Sequence, residues 1–302
     1  MTDKMEKQFN VASPANLSVS NIRGSVVVRS GEPGVIQVTA TKTPNSGDEE
    51  RTEIEIAQET DGSVRIATHY PEIGWNWLGG MQPCEVDYVI TAPRTCSLAL
   101  NGVSSSVQAE GFEGDFSVNS VSGAIMLRGL TGSLKIKTVS GDAEVESLHG
   151  SLILDTVSAD VEIRESALTS IAANSVSGDL RIRTPLTQGP FKFNSVSGDV
   201  NLIVPPESRF TGELRSLSGG IRSAFPITSG DRKFGSQMIQ IQDGGVMVTM
   251  HSVSGDLSFD SDGVISSRQS KDTISTDERR SVLERLDRGE MTVNEALEHL
   301  QV

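Results

Sequence analysis

The chain has 302 residues, a formal net charge of −14 and a pI of about 4.8, so it lacks the basic surface that a nucleic-acid partner would demand. Two cysteines, Cys84 and Cys96, are too few for a disulfide framework; neighbouring strands could bring them together, but two reduced, half-buried thiols are the favoured state. No run approaches the ~20 apolar residues of a membrane span, and residues 1–7 lack the apolar segment of a secretory signal, which predicts a cytoplasmic protein.

Residues 1–85 predict an opening β-section that precedes more regular structure. Apolar and polar residues alternate through residues 9–43, as in strands with one buried face. Residues 53–70 then predict a β-hairpin, because two alternating arms flank the turn-forming pair Asp61-Gly62.

Both tryptophans of the chain, Trp75 and Trp77, lie between glycines and prolines in residues 70–83. Exposed indoles in a projecting loop would be a candidate partner-binding site, since Trp is typical of interface anchors. The other interpretation is a lid whose indoles cover an open end or edge of the sheet. It needs no partner and is favoured.

From residue 86 to residue 260 the chain repeats one signature, Ser/Thr-Val-Ser-Gly-Asp. Successive copies are 18 to 21 residues apart up to residue 218, and the last copy follows 36 residues later. Self-similarity at such a period is typical of a solenoid in which each repeat forms one coil. The second serine of the copies, the first of them degenerate, lies at Ser104, Ser122, Ser140, Ser158, Ser177, Ser197, Ser218 and Ser254.

Alternation within each coil predicts which side chains are buried. Leu134 and Ile136 alternate with Lys135 and Lys137, so the apolar pair should face the core and the lysines should face water. The predicted fold is all-β: a parallel β-helix (β-solenoid) of about 18–21 residues per coil, followed by a short C-terminal two-helix hairpin.

Stacking the coils at about 4.8 Å turns equivalent positions into columns. The first signature residue forms a column of hydroxyls that could bond to one another between coils. The signature glycine implies either a positive φ or close backbone stacking at its corner, and Ala159 interrupts this column. The glycines of this structural repeat are Gly123, Gly141, Gly178, Gly198, Gly219 and Gly255.

The opposite edge of the coils is irregular, because insertions at residues 166–170, 185–190 and 205–210 lengthen it. A binding surface is expected on this irregular edge rather than on the regular Val-Ser-Gly edge. The 36-residue gap before the last signature contains two strand-like stretches, 238–242 and 245–251, and predicts one further coil without the signature.

The C-terminal residues change pattern. Residues 261–275 are rich in Ser and Asp and predict a linker. N-capping threonines then begin two predicted helices, 276–285 and 292–300, which form a hairpin over residues 276–302. Helices this short are marginal alone, so they must dock on the solenoid, on another copy or on a partner. The candidate partner-binding residues of their apolar seam are Val282, Leu286, Leu297 and Leu300.

No constellation of side chains indicates an enzyme. The four histidines are scattered and join no Asp/Ser grouping, so no catalytic residue, metal site, cofactor or small-molecule substrate is predicted. The signature aspartates are interpreted as turn residues that bond their own backbone. Stacked carboxylates would also allow glycoside chemistry or weak cation binding, which are less favoured. These aspartates are Asp142, Asp160, Asp179, Asp199 and Asp256.

Two stretches carry a family resemblance. The run Val86-Asp-Tyr-Val-Ile-Thr-Ala-Pro and the serial Val-Ser-Gly-Asp coils after it resemble the bacterial β-strand-repeat "putative adhesin" family, a domain of unknown function, over roughly residues 17–260. The tail from Glu278 to Leu297 is similar to the short helical hairpins called SHOCT-like. The resemblance implies a β-repeat fold with no catalytic residues, and a hairpin that mediates oligomerisation or partner contact.

The leading functional hypothesis is a non-catalytic cytoplasmic scaffold that recruits a protein partner, or self-associates, through its C-terminal hairpin. Two alternatives stay open. One is a surface adhesin or carbohydrate-binding module that uses Trp75 and Trp77. The other is a filament-forming, cytoskeletal-type protein, since open solenoid ends can stack.

Overall fold

The computed structural model describes residues 3–71, 82–225, 232–233 and 236–262, which form 23 β-strands; none of these residues is helical, so none belongs to a helix that could span a membrane. The predicted C-terminal hairpin lies outside the described residues. In chain order the strands are β1 (Asp3–Asn10), β2 (Ala15–Gly31), β3 (Val35–Lys42), β4 (Glu53–Gln58), β5 (Val64–His69), β6 (Val86–Pro93), β7 (Cys96–Glu110), β8 (Glu113–Ser120), β9 (Ile125–Arg128), β10 (Thr131–Thr138), β11 (Ala143–Glu146), β12 (His149–Thr156), β13 (Val161–Arg164), β14 (Ala167–Ser175), β15 (Leu180–Arg183), β16 (Phe191–Ser195), β17 (Val200–Val204), β18 (Phe210–Ser216), β19 (Ile221–Ser223), β20 (Arg232–Lys233), β21 (Ser236–Ile241), β22 (Val246–Ser252) and β23 (Leu257–Ser261).

Two stacks of parallel strands form the body of the protein. The first stack runs β8, β10, β12, β14 and β16, and the second runs β9, β11, β13, β15 and β17. One coil therefore contributes one strand to each stack, and equivalent residues pair in register, as Leu134 does with Leu152. The predicted all-β architecture with a parallel, repeat-built sheet is confirmed.

The core lies between the two stacks. Leu134 and Ile136 are fully buried while Lys135 and Lys137 are exposed, as the alternation predicts. Each such apolar side chain removed from water contributes roughly 1.5–3 kcal/mol, and the stack repeats the arrangement in every coil. Phenylalanines replace the aliphatic pair toward the C-terminal end, at Phe191 and Phe193.

Parallel stacking begins at residue 15, far ahead of the boundary at residue 86 that the signature indicates. β2 pairs in parallel with β7 on one side, and with β5 and β6 on the other. The coil of β2 is thus held between the coil of β5 and β6 and the coil of β7. The N-terminal β-section is part of the solenoid, although none of its corners carries the signature.

Antiparallel strands cover the N-terminal end. β4 pairs with β5, which confirms the predicted hairpin, while β3 pairs with β6 and β1 pairs with β3. The outermost strand, β1, carries Lys4, Glu6 and Lys7. A charged antiparallel edge resists pairing with a second molecule, so this end is poorly suited to the end-to-end stacking that a filament requires.

The C-terminal coils do not stack in chain order. β22 pairs with β16 on one side and with β18 on the other, and β23 lies in the same way between β17 and β19. The last coil is therefore inserted between two earlier ones. β21 runs antiparallel to β18 as a cover for the terminal coil. The prediction of one further coil in residues 238–251 is wrong, because β21 and β22 belong to two different layers.

Candidate functional site

The signature corner is built on a short hydrogen-bonded turn. The Thr138 hydroxyl donates to the Gly141 carbonyl oxygen at 2.7 Å and accepts from the Gly141 N–H at 3.2 Å. Ser120 repeats both bonds with Gly123. From Ser120 to Ser195 the hydroxyls therefore bond within their own turns, in place of the predicted bonds from hydroxyl to hydroxyl, because the turn carbonyl lies closer than the next coil at about 4.8 Å. In the terminal coil the Ser216 hydroxyl donates instead to the Gly255 carbonyl oxygen of the neighbouring coil at 3.5 Å.

Close backbone stacking explains the signature glycines. A Cβ at Gly141 would lie 2.1 Å from the Gly123 carbonyl oxygen, and one at Gly178 would lie 1.8 Å from that of Ala159. Neither glycine has a positive φ, so of the two predicted reasons only close approach applies. Ala159 is buried in the same column, and its turn is looser: Thr156 Oγ1 lies 3.3 Å from the Ala159 carbonyl oxygen.

The serine and aspartate of the signature bond along the stack. The Ser140 hydroxyl donates to the Val121 carbonyl oxygen of the preceding coil at 3.1 Å. The backbone N–H of Asp160 donates to Asp142 Oδ1 at 3.0 Å, and the series continues through Asp179, Asp199 and Asp256. The aspartates thus accept from the next coil in the stack, whereas the sequence suggested bonds to their own backbone. Both polar columns are satisfied inside the stack.

The signature valines point outward and form a continuous apolar row, here called the Val ladder. Seven of its side chains are 44–47% exposed and Leu217 is 80% exposed. The polar groups of the same corner, in contrast, are hydrogen-bonded. Over seven steps of about 4.8 Å the ladder extends roughly 34 Å. In stacking order its members are Val103, Val121, Val139, Val157, Val176, Val196, Val253 and Leu217.

A polar row, here called the Asn ladder, runs parallel to the Val ladder on the other side of the buried hydroxyl column. Asn119 Nδ2 donates to Asn101 Oδ1 at 2.9 Å, and Asn174 Nδ2 donates to Asp155 Oδ1 at 2.9 Å. Lys137 lies between these pairs and approaches Asp155 at 3.9 Å. In stacking order the ladder comprises Asn101, Asn119, Lys137, Asp155, Asn174 and Asn194.

The two ladders form the walls of an open groove of about 470 Å³ that extends from Ile22 to Val176. The floor is the buried hydroxyl column, whose oxygens are engaged in their own turns. The groove surface that remains is apolar on one wall, and on the other it carries amides, the Lys137 ammonium and the Asp155 carboxylate. It lies on the regular Val-Ser-Gly edge, opposite to the irregular edge that the insertions favour. The alternation that buries Ile136 and Thr138 predicts that Val139 faces solvent. This signal in the sequence could have identified the apolar wall of the groove.

A buried polar network closes the N-terminal end of the groove. Asn21 Nδ2 donates to the Val86 carbonyl oxygen at 2.8 Å and to the Ser105 hydroxyl at 3.0 Å. The Thr68 hydroxyl donates to Asn21 Oδ1 at 3.0 Å and shares a 2.7 Å hydrogen bond with the Tyr88 hydroxyl. Burial raises the pKa of Tyr88 to about 12, and the bond with Thr68 offsets part of this rise.

The raised pKa of Tyr88 predicts that the folded protein loses stability at alkaline pH. Between pH 10 and 12 the unfolded chain loses the phenolic proton while the folded chain keeps it, so the free energy of unfolding falls as pH rises. A two-unit difference corresponds to roughly 3 kcal/mol. Absorbance at 295 nm should show the Tyr88 phenol titrating near pH 12 in the folded protein, and Tyr88→Phe should remove this step. A Tyr88→Phe variant that lost stability equally steeply above pH 10 would contradict this assignment.

The remaining predicted site residues divide between described and undescribed parts of the chain. All six repeat glycines lie at the signature corner, but Trp75 and Trp77 and the whole hairpin seam lie outside the described residues. Cys84 and Cys96 are buried free thiols, and burial raises the pKa of Cys96 to about 12. Within the described ranges, no three His, Cys, Asp or Glu side chains gather in a way that could hold a metal ion.

The chain is similar to one described protein family and to several solved structures. The family described as "Toastrack DUF4097" matches residues 15–260. No curated protein sequence matches the chain. Among solved structures, a "putative adhesin" from Bacteroides fragilis has 10% identity and a TM-score of 0.49, with 85% of this chain and 97% of that chain covered. A "putative adhesin" from Parabacteroides distasonis has 12% identity and a TM-score of 0.46, with 86% and 97% covered. A "putative lipid binding protein" from the same species has 11% identity and a TM-score of 0.41, with 85% and 96% covered.

Proposed function

The chain belongs to the Toastrack DUF4097 family, and we propose that it works as a non-catalytic interaction scaffold. The solenoid is the rigid platform, and the segment of residues 276–302 brings copies of the chain together. This segment carries the predicted apolar seam of Val282, Leu286, Leu297 and Leu300.

The observation that carries this proposal is that the polar groups of the signature corner are hydrogen-bonded inside the stack, whereas its valine side chains are exposed. The hydroxyl column bonds within its own turns, and the Ser and Asp columns bond from coil to coil, so the polar groups of the corner are used inside the stack. The side chains of the Val ladder take no part in that bonding and leave a contiguous apolar surface in water. Large exposed apolar patches on otherwise polar proteins mark interaction sites.

Self-association through the tail is tested by light scattering on the full chain of 32.2 kDa. We expect the wild-type chain to have at least twice that mass at micromolar concentration. The double variant Leu286→Asp and Leu297→Asp should be a monomer, because a charge in each predicted helix disrupts an apolar seam. Equal masses for both proteins would contradict self-association through this segment.

We also propose that the protein resides in the cytoplasm. Two buried thiols that form no disulfide suit a reducing compartment. Fractionation of cells that express the full chain tests the location. Recovery in the culture medium or on the cell surface would contradict it and would favour the adhesin alternative.

A further inference from the structure

The Val ladder is the surface of the described chain that most needs a cover. Its eight exposed side chains present on the order of 500 Å² of contiguous apolar area, which is near the upper limit for a monomer. Charged side chains do not interrupt it, since the neighbouring signature positions are Ser and Gly. An uncovered row of this kind is unfavourable in water.

The chain itself supplies an apolar surface of suitable dimensions. The predicted helices of residues 276–285 and 292–300 are roughly 15 Å long. The groove between Val103 and Val176 spans four steps, or about 19 Å. One helical turn advances about 5.4 Å and one coil about 4.8 Å. Over three turns, side chains on one face of a helix therefore stay within about 2 Å of successive ladder positions.

The point at which the described chain ends allows this contact. Asp262 follows β23, where its N–H donates to the Val204 carbonyl oxygen at 2.9 Å and its carboxylate pairs with Arg183 at 3.3 Å. The 13 residues from 263 to 275 reach up to about 43 Å beyond this anchor. That reach is enough for a tail to lie on the groove of a neighbouring solenoid.

We propose that the groove between the Val ladder and the Asn ladder receives residues 276–302 of a second copy of this chain, in a reciprocal exchange of tails. The inference rests on the self-association proposed above and identifies the surface that receives the tail. One docked tail would bury on the order of 1,000 Å² in total, and two reciprocal tails about 2,000 Å², the size of a stable dimer interface. After one tail docks, the second docks within the same pair, which strengthens the dimer.

Disulfide trapping between two different variants tests the exchange. Val139→Cys and Leu286→Cys are prepared as separate full-length proteins, mixed and mildly oxidised; the native Cys84 and Cys96 are buried and do not interfere. We expect a mixed disulfide dimer, formed on the order of tenfold more than with the control pair of Glu144→Cys and Leu286→Cys. Glu144 is exposed on the second stack, away from the groove.

Other products would overturn the exchange. A chain that carries both Val139→Cys and Leu286→Cys and forms only an internal disulfide would show that the tail covers its own ladder. Val139→Cys alone forming the dominant dimer would show ladder-to-ladder contact. An absence of any mixed disulfide, while light scattering still shows association, would refute this receiving surface and leave the proposed scaffold role intact.

A second variant tests the surface without crosslinking. Val139→Asp with Val157→Asp replaces two exposed ladder side chains and should weaken self-association at least about tenfold, because docking would bury both charges. The melting temperature should stay within a few degrees, since neither side chain is in the core. Unchanged association of this folded variant would exclude the groove as the contact.

Discussion

Substitution of Gly198 by valine should destabilise the solenoid by about 3 kcal/mol or more. A Cβ at this position would lie 2.1 Å from the Gly178 carbonyl oxygen, which is backbone and cannot rotate away. The coils would have to separate at that corner, and the hydrogen bond from Ser195 to the Gly198 carbonyl oxygen would lengthen with them. Thermal unfolding should show a midpoint lowered by roughly 6–12 °C.

The matched control for this variant is Val196→Thr, two residues away in the same corner. Val196 is 46% exposed, so replacing it with an isosteric residue should change the free energy of unfolding by less than about 0.5 kcal/mol. Ala159→Gly tests the opposite change, because removing the Cβ should shorten the 3.3 Å hydrogen bond from Thr156 Oγ1 to the carbonyl oxygen of residue 159. If Gly198→Val melted at the same temperature as Val196→Thr, the corners could not be stacked this closely.

Phe210→Ala should remove about 3–5 kcal/mol from the C-terminal coils and leave the rest of the solenoid largely unchanged. The Phe210 ring centroid lies 4.8 Å from that of Phe259 and 5.8 Å from that of Phe225, so one ring holds together the terminal coil and the inserted coil. Each coil of a solenoid contacts only its neighbours, which confines the loss to one end. Hydrogen exchange should accelerate in β18 and β21 but not in β8 and β10.

Phe116→Ala serves as the matched control, because Phe116 is an equally buried phenylalanine in β8, in the other half of the solenoid. Phe116→Ala should lower the free energy of unfolding by a similar amount, and hydrogen exchange should accelerate around β8 instead. Uniform acceleration along the whole chain in both variants would show that the solenoid unfolds as one unit. The nearest-neighbour description of its stability would then be wrong.

The sequence was a good guide wherever a property depends on one coil alone. Alternation along a strand determines which side chains face the core, as at Leu134 and Lys135, because successive residues point to opposite faces. The same rule places Val139 outside, although the insertions indicate the irregular edge as the binding surface. The hairpin of β4 and β5 was also predictable, because the Asp61-Gly62 turn joins adjacent arms.

Partners of the polar side chains were harder to predict. Thr138 bonds Gly141 in its own turn, whereas Asp142 accepts from the backbone of the next coil, although each choice was open in the sequence. Which acceptor lies within hydrogen-bond distance depends on the position and orientation of the backbone at the corner. Residue types and spacing carry no such information, so only the positions of the stacked backbones decide it.

By itself, the sequence determined the coil length, the buried and exposed faces and the corner glycines, because each of these follows from steric rules that act within a coil or between equivalent positions. Only the tertiary structure decided the order in which the coils stack. The coil of β22 and β23 lies between two earlier coils, and β2 lies between coils that follow it. The edge of one parallel coil offers the same row of N–H and C=O groups as any other, so the local sequence of a coil does not select its neighbour.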